Sequence, residues 1–118
     1  LILADTSVWI DHLRSGQDRL AALLEDGAIL AHPWVTGELA LGNLRDRDNV
    51  LGLIARLPHA VIATEEEVRR MIDDEALYGA GIGYVDAQLL ASSRLTPDAR
   101  LWTNDRRLSR VATQLGLS

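Results

Sequence analysis

A chain of 118 residues, 47% hydrophobic and 25% charged, has the composition of a single globular domain over residues 1–118 and leaves no room for a second core. No apolar run approaches the ~18 residues of a membrane span, and no basic, leader-like segment is present, although the absent initiator Met points to a trimmed start. The chain lacks cysteine, which excludes disulfides and thiolate metal sites and suits a cytoplasmic protein; it also lacks lysine, which excludes every mechanism that needs one.

The formal charge of −5 speaks only weakly against nucleic acid, because binding follows the local field. All 12 cationic side chains are arginines. Base composition of the genome is a sufficient reason for that bias.

The chain opens on Leu1-Ile2-Leu3-Ala4, an unbroken apolar run that reads as a buried parallel strand and ends in Asp5-Thr6-Ser7. A short helix follows over Val8 to Leu13 and is broken at Ser15-Gly16. A second starts near Asp18 with Leu20, Leu23 and Leu24 on one face, Ser15 and Asp18 having the spacing of a capping box. Asp26-Gly27 ends it, and Ala28 to Ala31 reads as the second strand, closed by Pro33.

Thr36 is placed to cap a helix carrying Glu38, Leu39 and Leu41, with Gly42 near its end. The helix around Asp48 to Leu57 shows Val50, Leu53, Ile54 and Leu57 at i, i+3, i+4, i+7, and Pro58 stops it. Ala60 to Ala63 reads as a third strand. Thr64-Glu65-Glu66-Glu67 is a capping box whose acids have a sufficient role at the positive end of a helix with Val68, Met71 and Ile72 inward. Gly79, Gly81 and Gly83 form a flexible loop before a helix over Val85 to Arg94. Leu101 to Thr103 is the fourth strand, and Leu108, Val111, Ala112 and Leu115 mark the last helix. Strands alternating with helices imply a parallel sheet covered on both faces.

Most of the 17 acids sit on polar helix faces or at helix starts. Four stand apart. Asp5 ends the first strand, Glu38 enters a helix that is otherwise apolar, Asp86 interrupts Tyr84-Val85 and Ala87-Gln88-Leu89, and Asp105 follows the last strand by two residues. Helix capping is a sufficient local explanation for Asp5, Asp86 and Asp105, and first-turn exposure for Glu38. In a parallel sheet, however, the loops after the strands open on one edge, where such folds bind their ligands. Carboxylates gathered there repel each other unless cations neutralise them. Oxygen donors without His or Cys suit Mg²⁺ or Mn²⁺, which activate water for in-line attack on a phosphodiester.

Four segments, Asp5-Thr6-Ser7-Val8-Trp9-Ile10, Thr36-Gly37-Glu38-Leu39, Gly81 to Leu90 and Leu101 to Leu108, resemble in order and spacing the acidic motifs of PIN-domain ribonucleases. They are most similar to those of VapC-type toxins of bacterial type II toxin–antitoxin pairs. The resemblance covers essentially the whole chain. It implies a three-layer α/β/α sandwich with a central parallel sheet, and a metal-dependent endoribonuclease acting on RNA. Asp5, Glu38, Asp86 and Asp105 would be its catalytic, metal-binding acids, supported by the hydroxyls of Ser7 and Thr103. It further implies a homodimer and an antitoxin protein that inserts a segment near the acidic groove.

Arg106, Arg107 and Arg110 begin the last helix beside Asp105, either as a solvated face or as contacts to RNA phosphates; Arg45 and Arg47 are weaker candidates. His12, His32 and His59 lack ligand spacing and read as surface or loop residues. Trp9, Trp34 and Trp102 read as core or interface anchors, Trp34 being the one placed to stack on a base. The glycines do not follow a strand, so they form no dinucleotide fingerprint. Aspartyl-phosphate phosphatases and receiver domains also carry an Asp after the first strand, but both use a lysine. A non-catalytic dimeric binding module is the remaining alternative, against which four retained acids argue.

Overall fold

The sheet at the centre has three parallel strands in the order β2-β1-β3: β1 (Ile2–Ala4), β2 (Ile29–Leu30) and β3 (Arg100–Trp102). A computed structural model describes all of residues 1–118. Leu3 pairs with Leu30 on one side and Leu101 on the other. All three are buried, as a strand covered on both faces requires.

Seven helices surround the sheet: α1 (Thr6–Ser15), α2 (Asp18–Glu25), α3 (Pro33–Leu41), α4 (Arg47–Ala55), α5 (Glu65–Asp74), α6 (Tyr84–Leu95) and α7 (Arg106–Gln114). They complete the three-layer α/β/α arrangement. Helix α6 is the most enclosed, with every residue from Ala87 to Ser93 buried. Its buried polar side chains Gln88, Ser92 and Ser93 are all hydrogen-bonded, and no buried side-chain polar atom in the chain lacks a partner.

Local signals place several helix starts correctly. Thr64 and Glu67 form the reciprocal capping box that opens α5, and the capping bonds hold the Glu67 carboxyl below the usual carboxylate range. Others differ from the sequence expectation. Helix α2 is capped by Gln17, whose side chain accepts from the Arg19 and Leu20 N–H groups, rather than by Ser15. Helix α3 begins at Pro33, not after Thr36: proline at the first helical position loses only an N–H that would lack a partner anyway. The Thr36 hydroxyl instead donates back to the His32 carbonyl at 3.2 Å.

The third strand expected over Ala60 to Ala63 is absent. Only a single bridge, Ala31 to His59, extends the sheet there. Beyond the Ala60 N–H, which bonds the Ala31 carbonyl, side chains of α6 and its C-cap take over the backbone: Val61 N–H donates to Thr96 Oγ1, Ala63 N–H to Ser92 Oγ, and Gln88 Nε2 donates to the Ala63 carbonyl. The apolar run is extended but paired to a helix. The glycine loop is a series of turns, with Gly79 and Gly81 at φ 76° and 81° and Gly83 as the N-cap of α6.

His32 is also corrected, being fully buried rather than a surface residue. Its Nδ1 accepts from the Trp34 N–H at 3.1 Å and so caps α3, while Nε2 lies 2.9 Å from Ser92 Oγ. Burial pushes its pKa below the ordinary 6.5, against a weaker upward pull from Gln88. The unfolded chain therefore takes up a proton first. The stability held by neutral His32 is complete above 6.5 and is lost as pH falls below that value. Urea unfolding between about pH 8 and pH 5 should show this decline, and it should vanish in His32→Asn. A decline of equal slope in the variant would assign it to other groups.

Candidate active site

Parallel strands deliver the segments that follow β1, β2 and β3 to one edge of the sheet. Asp5 sits where β1 ends, its N–H still bonded to the Trp102 carbonyl at 3.0 Å. It caps α1 through a bond from the Val8 N–H to Oδ1 and is only 7% exposed. The Ser7 hydroxyl donates to the same oxygen and the Thr103 hydroxyl donates to Oδ2. Those hydroxyls in turn accept from the N–H groups of Asn104 and Asp105, both at 3.0 Å. The start of α1 and the end of β3, nearly 100 residues apart in sequence, are thus bound through one carboxylate.

The other three acids are each turned to a donor close by. Glu38 is exposed on α3 and accepts from the Thr6 hydroxyl at 2.7 Å, a support that the sequence reading missed although Thr6 stands between Asp5 and Ser7. Half-buried Asp86, in the first turn of α6, accepts from the Gly83 N–H at 3.0 Å. Asp105 caps α7 by accepting from the Arg107 and Leu108 N–H groups. Each acid has a structural role, as local sequence allowed, and still all four share one field.

That field is read most directly at Asp86. Burial raises its pKa above the ordinary 3.8, the Gly83 N–H acts in the opposite direction, and the charges of Asp105, Asp5 and Glu38 raise it further. With side chains in these positions, no three acids or imidazoles stand close enough to hold one ion between them. The donor set nonetheless suits a hydrated hard cation: it is all oxygen, it repels itself, and Mg²⁺ retains several waters that bridge to carboxylates.

Arginines flank the acids without neutralising them. The three ion pairs of the chain, Arg69–Glu65, Arg70–Glu66 and Arg94–Glu75, involve none of the four. Arg106, Arg107 and Arg110 are exposed on α7. The Arg107 side chain lies over Gly81, where an added Cβ would stand 3.0 Å from its Cδ and oblige the arginine to shift, and the positive φ of Gly81 itself favours glycine. Nothing in the sequence announced this contact. Arg45 and Arg14 edge a groove of about 450 Å³ that runs from Ile10 and Leu13 to Glu38. Arg47 is committed elsewhere, donating to the Ala40 carbonyl at 3.0 Å.

Trp9 is a core residue, while Trp102 is half-buried beneath the Arg19 guanidinium, 4.4 Å from its ring centroid. Trp34 lies in the first turn of α3 rather than in a loop, 39% exposed and 5.8 Å from the Tyr84 ring.

A three-layer fold with four interacting acids at the carboxyl edge of a parallel sheet places them where open α/β proteins bind their ligands. Residues 2–114 match the PIN domain, and the chain belongs to the PIN-domain family. It is similar over its whole length to Ribonuclease VapC32 of Mycobacterium tuberculosis, from strain CDC 1551 / Oshkosh and from strain ATCC 25618 / H37Rv. Identity to each is 47% over 118 residues, which cover 95% of the relative. The resemblance to the VapC type read from the four motifs is borne out.

Proposed function

We propose that this protein is a Mg²⁺- or Mn²⁺-dependent endoribonuclease, the toxin of a type II toxin–antitoxin pair. The observation that carries the reading is the coupling of Asp86 to Asp105, Asp5 and Glu38 at one sheet edge. Whole-length similarity to a protein named as a ribonuclease supports RNA as the substrate. No helix is long and apolar enough to cross a membrane, and a cytoplasmic site of action is part of this proposal. A homodimer and a cognate antitoxin partner belong to the same proposal, as does the extent of the domain, 1–118.

In this reading Asp5, Glu38, Asp86 and Asp105 hold the cation. The chemistry it supplies when bound is activation of water and compensation of charge on the phosphodiester. The protein's part is orientation. Ser7 and Thr103 hold the Asp5 carboxylate by both oxygens, and Thr6 holds Glu38. Asp5 and Asp86, less exposed than the other two, provide the fixed end of the site. Arg106, Arg107 and Arg110 contact phosphates beside Asp105, offsetting the net charge of −5 where the RNA backbone passes.

The test is incubation of the purified protein with end-labelled total RNA in Mg²⁺ or Mn²⁺, beside lanes with chelator. Discrete fragments made only with metal are expected, their ends naming the target. A folded protein that neither cleaves RNA nor binds metal would overturn the proposal in favour of a protein-binding module.

A further inference from the structure

Two of the four acids are carried by helices that scarcely touch. Helix α3, bearing Glu38, packs closely on α1 and α4, whereas α6, bearing Asp86, packs on α5 and β3. The backbones of α3 and α6 approach each other less than either approaches those neighbours. Glu38 and Asp86 repel one another, so their charge acts to part the helices at this end.

What joins them is a buried hydrogen-bond network whose every proton is assigned by its neighbours. His32 Nδ1 accepts from the Trp34 N–H, so the proton of the neutral ring is on Nε2 and is donated to Ser92 Oγ at 2.9 Å. The Ser92 hydroxyl donates onward to Gln88 Oε1 at 2.8 Å and also accepts from the Ala63 N–H. Gln88 returns a donation from Nε2 to the Ala63 carbonyl at 3.0 Å. His32, Gln88 and Ser92 are each no more than 2% exposed. A network fully satisfied in a dry interior is stiff. The contact of Trp34 with Tyr84 closes the same seam at the surface.

The link lies symmetrically with respect to the acids. Glu38 is six residues after His32, and Asp86 six residues before Ser92. At 1.5 Å per residue each acid stands about 9 Å along its helix from the cross-link.

We propose that His32 is a positioning residue: bonded to Ser92, it sets the spacing between Glu38 on α3 and Asp86 on α6, and so the affinity of the acidic edge for a divalent cation. The inference rests on the metal-site reading above. Two substitutions separate its bridge from its cap. His32→Asn keeps an oxygen for the Trp34 N–H but is too short to reach Ser92. His32→Gln keeps the reach and weakens the cap.

Mn²⁺ affinity, measured by calorimetric titration at a temperature where each protein is folded, is the readout that a merely structural role would not move. His32→Asn should weaken binding by about tenfold or more, the range found when a group orienting a metal ligand is removed. His32→Gln should bind as the wild type does, at reduced melting temperature. Wild-type affinity in folded His32→Asn would overturn the positioning role and leave the metal site standing. Should His32→Asn not fold, His32→Gln decides, since weakened binding there would equally overturn it. If the wild type itself binds no Mn²⁺, the metal site fails first and the positioning role with it.

Discussion

Asp86→Asn should lose RNA cleavage by on the order of 10³-fold, several kcal/mol of transition-state stabilisation, while its melting temperature without divalent cation stays level or rises. The activity loss follows from placing Asp86 among the cation-holding acids. The stability follows from its raised pKa. A carboxyl that binds its proton more tightly in the folded state than in the unfolded one costs stability once ionised: the cost sets in as pH climbs from about 3.8 through the raised value, and it persists at neutral pH. The amide carries no charge to be repelled by Asp105, Asp5 and Glu38, and its oxygen still accepts from the Gly83 N–H. Mg²⁺ or Mn²⁺ should raise the wild-type melting temperature and leave that of the variant nearly unmoved. Thermal unfolding with and without metal checks this. A variant that cleaves RNA normally removes Asp86 from the site, and one that unfolds makes it chiefly structural.

At Asp5 the same chemistry comes with a structural cost, and two substitutions should separate them. Asp5→Ala leaves the Ser7 and Thr103 hydroxyls and the Val8 N–H without their acceptor at a position only 7% exposed. Losing charge-assisted bonds of this kind costs about 2–4 kcal/mol, enough to lower the melting temperature of a chain this size by roughly 10 °C or more. Asp5→Asn keeps a carbonyl oxygen for Ser7 and Val8 and turns an amide N–H towards the Thr103 hydroxyl, which can accept it. That variant should stay folded and inactive, again by on the order of 10³-fold. Cleavage near the wild-type rate by folded Asp5→Asn would place the reaction elsewhere; equal stability of the two variants would show that the carboxylate does not tie α1 to β3.

Whatever depends on neighbours within a turn or two is legible in the chain before it folds. The apolar run before Asp5 makes a covered strand, because four adjacent apolar residues have no polar face to expose. Thr64 with Glu67, and Asp105 ahead of Arg107, cap their helices because the bonds span two or three residues. The order of the elements sufficed to expect Asp5, Glu38 and Asp105 on one edge, since parallel strands leave no other place for the segments that follow them, whereas Asp86 follows no strand and reaches that edge from the start of α6. The four motifs also carry the resemblance to the PIN-domain family, and the match over residues 2–114 bears it out.

How residues far apart satisfy each other emerges only on folding. Ala60 to Ala63 has the composition of a strand, yet its N–H and C=O groups meet Thr96, Ser92 and Gln88 rather than another strand, which periodicity has no means of distinguishing. His32 reads as a loop residue because its partner is 60 positions away. Gly81 is ordinary until Arg107 crosses it. The pKa of Asp86, finally, is a property of depth and of three charges brought from other elements, and only the folded chain brings them within reach of one another.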